Sequence, residues 1–298
     1  MQQDPRVAAL AGMFAISFSA IFVRLADVSP GTSSLYRGLY ALPLLLLLFA
    51  ARRWRGTAAP RTVGERAMAL GAGLLMAIDL NLWHRAIGDI GAGLSTVIAN
   101  LQAVFVPLAT WLIFREKPPH RVVAALPIAF AGVALAAGVG TMAAYGDAPL
   151  RGALYSVAAA VAYTGFLLLL RRGSRQGAVG PLLDVTLGIA VGGAALAFLD
   201  PAFDPAPFAA GHGWLVALAV GPHILGWLAL TYALPRLPAA LTSFLLLLQP
   251  CLTLLWSVLL FAEAPSWTQW LGAAAVLGAV LWTSLERPSR SSTSGVAE

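Results

Sequence analysis

Nine side chains in this sequence are polar or aromatic where their neighbours are almost all apolar: Asp79, Asn81, His84, Asn100, Gln102, Tyr163, His223, Trp227 and Gln249. An ionisable or amide group in hydrocarbon is costly unless it meets a partner or water, so each marks a candidate pathway or binding contact. Asp79 is the sharpest case. Its carboxylate could attract an amino group or carry a coupling proton; the alternative is a structural ion pair with Arg37 or Arg85. Asp79 and Trp83 stand four residues apart and share a helix face, with Asn81 and His84 nearby in the same helix. The amides of Gln102 and Gln249 could bind both ends of a zwitterion without carrying charge. Interhelical hydrogen bonds, worth ~0.6–2 kcal/mol each, would account for them as well. Asn100, two residues from Gln102, points to another side of its helix. His223 and Trp227 share a face, and Tyr163 lies at the middle of its apolar run. These aromatics could hold an apolar or aromatic moiety or simply pack. Arg37 and Asp184 read as gate or structural residues, which leaves no cation at mid-depth.

The elements that carry these groups are apolar blocks of about 20 residues, roughly what an α-helix needs to cross ~30 Å of hydrocarbon. The chain is 59% hydrophobic and 11% charged over 298 residues, with a mean hydropathy of +0.80. A soluble domain carries roughly a quarter charged residues, so this one has too little charge to face water. The runs do not alternate in polarity as barrel strands would. An all-α integral membrane protein is expected, with ten spans: Pro5–Leu25, Ser33–Ala51, Glu65–Ala86, Gly91–Phe114, His120–Met142, Arg151–Arg171, Pro181–Leu199, Gly213–Leu234, Ala239–Phe261 and Ser266–Leu285. Pro107 and Pro250 each remove a backbone hydrogen bond and could kink their helices. Small residues at Gly71, Gly73, Gly188 and Gly192 permit close helix contact, and Trp54, Trp214, Trp267 and Trp270 read as interface anchors. The Ser-rich segment 286–298 is expected to be a disordered tail.

Fifteen of the 19 Lys and Arg residues fall on one side of that arrangement; Arg24, Arg37, Arg85 and Arg151 fall on the other. Both termini are therefore expected in the cytoplasm. The net charge of +6 is spread over short loops in the pattern of membrane topology, which argues against nucleic-acid binding. The single Cys251 excludes an intrachain disulfide.

Written at an offset of 147, residues 86–118 align with 233–265 without a gap. Leu101 matches Leu248, Gln102 matches Gln249, and Phe114, Glu116 and Pro118 match Phe261, Glu263 and Pro265. Such self-similarity indicates a duplication, with halves at 1–146 and 147–285. Five spans per half is odd, so the second half must enter from the opposite side. That is an inverted repeat, a plan on which many secondary transporters are built.

The repeated Phe-x-Glu-x-Pro ending (Phe114 to Pro118, Phe261 to Pro265), in a five-plus-five inverted plan, resembles the EamA family of the drug/metabolite transporter superfamily, and within it the YddG-type bacterial amino-acid exporters. The resemblance covers about residues 6–285. It implies a ten-helix basket around a central cavity and export of amino acids or related metabolites across the bacterial inner membrane by alternating access, with protons a candidate coupling ion. It implies no cofactor and no metal. Other cargo remains open: drugs, quaternary amines or nucleotide sugars. So does an integral-membrane enzyme acting on lipid-linked substrates. No phosphate loop, His-Glu-x-x-His or Gly-x-Ser-x-Gly motif is present, so neither ATP-driven transport nor the commonest hydrolase chemistry has support.

Overall fold

The computed structural model describes residues 4–115, 117–139, 141, 143–173, 177–206 and 210–284, and every regular element among them is helical. Glu116 and the segment 286–298 lie outside the described residues.

The chain starts with α1 (Pro5–Ser17), whose N-terminus Asp4 caps by accepting the Arg6 amide. One turn at Phe18 separates it from α2 (Ser19–Ala26). Ser29 caps α3 (Pro30–Trp54), and Thr62 and Glu65 form a reciprocal capping box at the start of α4 (Val63–Ile90). Then come α5 (Ala92–Ala99), α6 (Gln102–Phe114), α7 (His120–Ala136), α8 (Pro149–Gly173) and α9 (Val179–Phe198). The next crossing is composite: α10 (His212–Leu218), a π-helical stretch Ala219–Gly226, α11 (Trp227–Ala233) and a 3-10 turn Leu234–Arg236. The chain closes with α12 (Ala239–Phe261) and α13 (Trp267–Ser284).

Among the described residues, eight helical stretches are long and apolar enough to cross a membrane. The apolar α7 is shorter at 17 residues, and α13 lies along it. Among the expected spans, the fifth ends early, at Ala136 rather than Met142. Gly138 adopts a φ of +78, and the amides of Gly138 and Val139 bond back to the carbonyls of Leu135 and Ala134. This is a Schellman ending, which a left-handed glycine makes cheap.

The bends are not where prolines alone would put them. Pro250 lies inside the continuous α12. The fourth span breaks at Asn100–Leu101, before Gln102 rather than at Pro107. Pro222 sits within the π-helical stretch. A proline ring collides with the carbonyl four residues back, and the wider turn relieves that contact.

Glycines set the closest helix contacts. A Cβ on Gly73 of α4 would stand 2.8 Å from Gly188 Cα of α9, and one on Gly132 of α7 would stand 2.9 Å from the Gly272 oxygen of α13. Without side chains at these points the backbones approach closely, which is how helices gain dispersion contact inside a membrane. Two buried clusters flank the interior. One runs through Met76, Leu80, Phe166, Ile189 and Leu218; the other runs through Leu94, Ile98, Ala129, Leu254 and Val276. Trp54, Trp214, Trp267 and Trp270 are all exposed, as anchors at the membrane surface would be.

Candidate functional site

A cavity of about 510 Å³ lies beside the first cluster, whose Met76 and Leu80 form part of its wall. Asp79, Asn100, Gln102, Tyr163, Trp227 and Gln249 line it, together with Ser19, Arg37, Trp83 and Thr96. Its lining also includes Leu234, Pro235 and Ser284, at helix ends on the side of the chain termini. Ala8 and Ala9 of α1 pack there against Ala233, Leu237 and Leu241.

The local fold explains why these groups face inward. Asp79, Trp83 and Met76 share one stripe of α4, whose other faces are taken up by α8 and α9. Asn100 sits in the break between α5 and α6, where its side-chain amide donates to the Thr96 carbonyl at 2.8 Å. That turn swings Gln102 toward the cavity. Neither Gln102 nor Gln249 makes a side-chain hydrogen bond among the described residues, so the interhelical bonds that could have explained them are not formed.

Asp79 and Arg37 are the charged members, 6% and 3% exposed. Among the described residues, ion pairs within 4 Å join Arg24 to Glu263, Arg61 and Arg66 to Asp184, and Arg151 to Asp89. Asp79 and Arg37 are in none of them. The Arg37 guanidinium donates to Ser19 Oγ at 3.2 Å and leaves its Nε without a partner. The wall thus presents one anionic and one cationic group, three side-chain amides, a phenol and two indoles. That set can hold a carboxylate, an ammonium and an apolar side chain at once.

Comparison with known families matches residues 6–138 and 150–285 to the EamA-like transporter family. The chain belongs to that family. No curated protein matches it. A solved structure described as "Crystal structure of protein" superposes with a TM-score of 0.61 at 18% identity, over 94% of this chain and 96% of that one. The likeness establishes a shared fold.

Three of the nine expected residues of this EamA-like protein lie away from the central cavity. Asn81 accepts from Arg85 Nε at 3.1 Å, which also turns Arg85 away from Asp79. His84 lines a second cavity of about 470 Å³ near Arg24, Asp27 and Arg85. His223 packs behind Trp227 in a pocket of about 90 Å³, its Nε2 2.9 Å from Thr186 Oγ1. Position along the apolar runs placed them on these helices but did not give the rotation of each helix about its axis.

Arg37 corrects the expectation in the other direction. Read as a gate or structural residue, it stands on the cavity wall. A signal was present: Arg37 follows the small polar run Thr32, Ser33 and Ser34 in the first turns of α3, and all four are buried. An arginine that far inside a span has a reason to stay. Its counterpart Asp184 is tied to Arg61 and, at 3.6 Å, to Arg66. No cluster of three or more His, Cys, Asp or Glu suited to a metal occurs among the described residues.

Proposed function

We propose that this protein is a secondary transporter that exports amino acids, aromatic and neutral ones included, across the bacterial inner membrane. Its ten spans form two inverted five-helix halves, 1–146 and 147–285, that alternate access to the central cavity, and both termini are cytoplasmic. Family membership supports transport, and the match to both 6–138 and 150–285 supports two units. The offset of 147 also relates Arg115 to Ala262, and both take the left-handed conformation, with φ of +61 and +50.

The observation that carries the amino-acid reading is the pair of unlinked charges, Asp79 and Arg37, on the wall of one cavity. A buried charge without a partner is costly, and a zwitterion supplies both partners at once. Its ammonium goes to Asp79 and its carboxylate to Arg37, with Asn100, Gln102 and Gln249 completing the shell. Tyr163, Trp83 and Trp227 face the side chain. A strongly anionic cargo would meet Asp79, and a quaternary amine would meet Arg37. Asp79 is also the group positioned to carry a coupling proton.

The test is counterflow in proteoliposomes with radiolabelled neutral amino acids, competed by amines lacking a carboxylate and by acids lacking an amine. Amino acids should exchange and either truncated series should compete poorly. If the amines drive counterflow as well as amino acids do, the reading fails.

A further inference from the structure

At the end of the bundle opposite the termini, three segments meet at a single carboxylate. Glu263 lies just past α12, its side chain wholly buried. It accepts the amides of Ala92 at 2.8 Å and Gly93 at 3.2 Å at the start of α5, and it pairs with Arg24 near the end of α2. The Arg24 guanidinium also lies over the Phe261 ring, 4.5 Å from its centroid. Gly91 makes the approach feasible: its φ is +89, and a Cβ there would stand 2.7 Å from Glu263 Oε2.

Two features make this more than a helix cap. The two short helices that Glu263 joins contribute residues to two cavities. Arg24 and Gly91 border the 470 Å³ one, while Ser19 and Thr96, on the same two short helices, border the central one. From Gly91 to Thr96 is five residues, about 7.5 Å of helix. Both segments that Glu263 holds are also set off by a break on the cavity side. α2 and α5 have eight residues each; α2 begins after the turn at Phe18 and α5 ends at the turn of Asn100–Leu101. A short helix joined to its continuation by one loosened turn is built to tilt, and each of these is fastened at its far end by the same acid.

We propose that Glu263 and Arg24 form the latch of the gate at this end of the pathway, with α2 and α5 as its two leaves. Releasing Glu263 joins the two cavities into one passage. Ser19, Thr96 and Asn100 lie at the hinges and on the cavity wall, so a molecule bound there touches both leaves. The inference rests on the transport reading above.

The test needs no cargo. In a Cys251→Ser background, Ala99→Cys places a thiol on the cavity wall, and a membrane-impermeant maleimide is applied to intact cells and to inverted membrane vesicles. With the latch intact the thiol should react from one side and be shielded from the other. Arg24→Met and Glu263→Ala should raise labelling on the shielded side on the order of tenfold and leave the other side unchanged. Shielded-side labelling that stays at its original rate in both folded variants overturns the latch, as does a parent thiol that reacts equally from both sides. If Glu263→Ala does not accumulate as a monodisperse protein, Arg24→Met decides alone, because it leaves Glu263 on the Ala92 and Gly93 amides. A failure of amino-acid counterflow would leave this result standing.

Discussion

Two of the arginine–acid combinations in this bundle are handled in opposite ways. Arg24 and Glu263 are in contact, and the acid is further satisfied by two backbone amides. Arg37 and Asp79 are buried at least as deeply as most of the chain, share one wall, and are not joined. Desolvation penalises both pairs. At the closed end the protein itself offsets that cost, so the interaction goes into holding helices together. In the cavity no side chain among the described residues lies within ion-pair distance to offset it, and the proposed function leaves that to an incoming molecule. On the proposed reading, completeness of pairing, more than the presence of charge, separates the part that closes from the part that binds.

The largest effect should come from removing one of the unjoined charges. Asp79→Asn keeps the shape of the wall and takes away the charge that meets an ammonium. Truncating one side of a buried, hydrogen-bonded charge contact costs on the order of 2–5 kcal/mol, so exchange of amino acids should fall by about a hundredfold in apparent affinity. Thermal unfolding in detergent should move little or rise, because no protein partner loses its bond. If Asp79→Asn instead unfolds the protein and leaves affinity intact, the two arginine–acid combinations do the same structural job and the comparison collapses.

How far this was legible in the sequence depends on what each signal measures. Hydropathy reports how much of a segment must leave water, and the helices came out close to where apolar run length put them. Which helices carry the polar groups was legible too, and six of the nine candidates line one cavity. Rotation about a helix axis was not, because an all-round apolar helix has a weak stripe; Asn81, His84 and His223 therefore ended elsewhere. Arg37 was missed because a count of cations by side treats it as topology, while its small polar neighbours on α3 show it to be interior. The breaks at Phe18 and Asn100–Leu101 carry no Pro or Gly and leave no local mark. The Glu263 motif was visible as a repeat, but its meaning depends on Ala92 and Arg24, brought near only by the fold.

Gln269 sharpens the same contrast among neutral groups at intermediate cost. It is fully buried and fully used. Its Oε1 accepts the amides of Tyr145 at 2.7 Å and Ser266 at 2.9 Å, and its Nε2 donates to the carbonyls of Ala136 at 3.2 Å and Tyr145 at 3.0 Å. Gln269→Leu strands those backbone groups and should cost about 2–3 kcal/mol of stability, with transport affinity unchanged in the folded fraction. Gln102→Leu should do the reverse: near-normal stability and weakened exchange. Equal unfolding shifts for the two would show that an unbonded amide on the cavity wall is no different from a bonded one.

Asp200 supplies the smallest and most controlled comparison, because it is an acid beyond the end of α9 whose partners are almost all backbone. Its carboxylate accepts the Gly31 amide at 2.9 Å and the Ala202 amide at 3.1 Å. Burial pushes its carboxyl up, but those hydrogen bonds, with the Arg85 charge behind them, outweigh it and hold it below the usual carboxylate range. A depressed folded value means that the ionised form is what stabilises the fold. The contribution is complete above the unfolded value of roughly 3.9 and is lost as pH falls through the lower folded value. Asp200→Asn should therefore cost about 1 kcal/mol at pH 7, read as a shift in thermal unfolding. The gap to the parent should stay constant from pH 8 to about 5 and narrow only below about 4. A gap that changes between pH 6 and 8 would mean another group titrates with it, and Asp200 would then not be the self-contained, backbone-satisfied acid that this comparison requires.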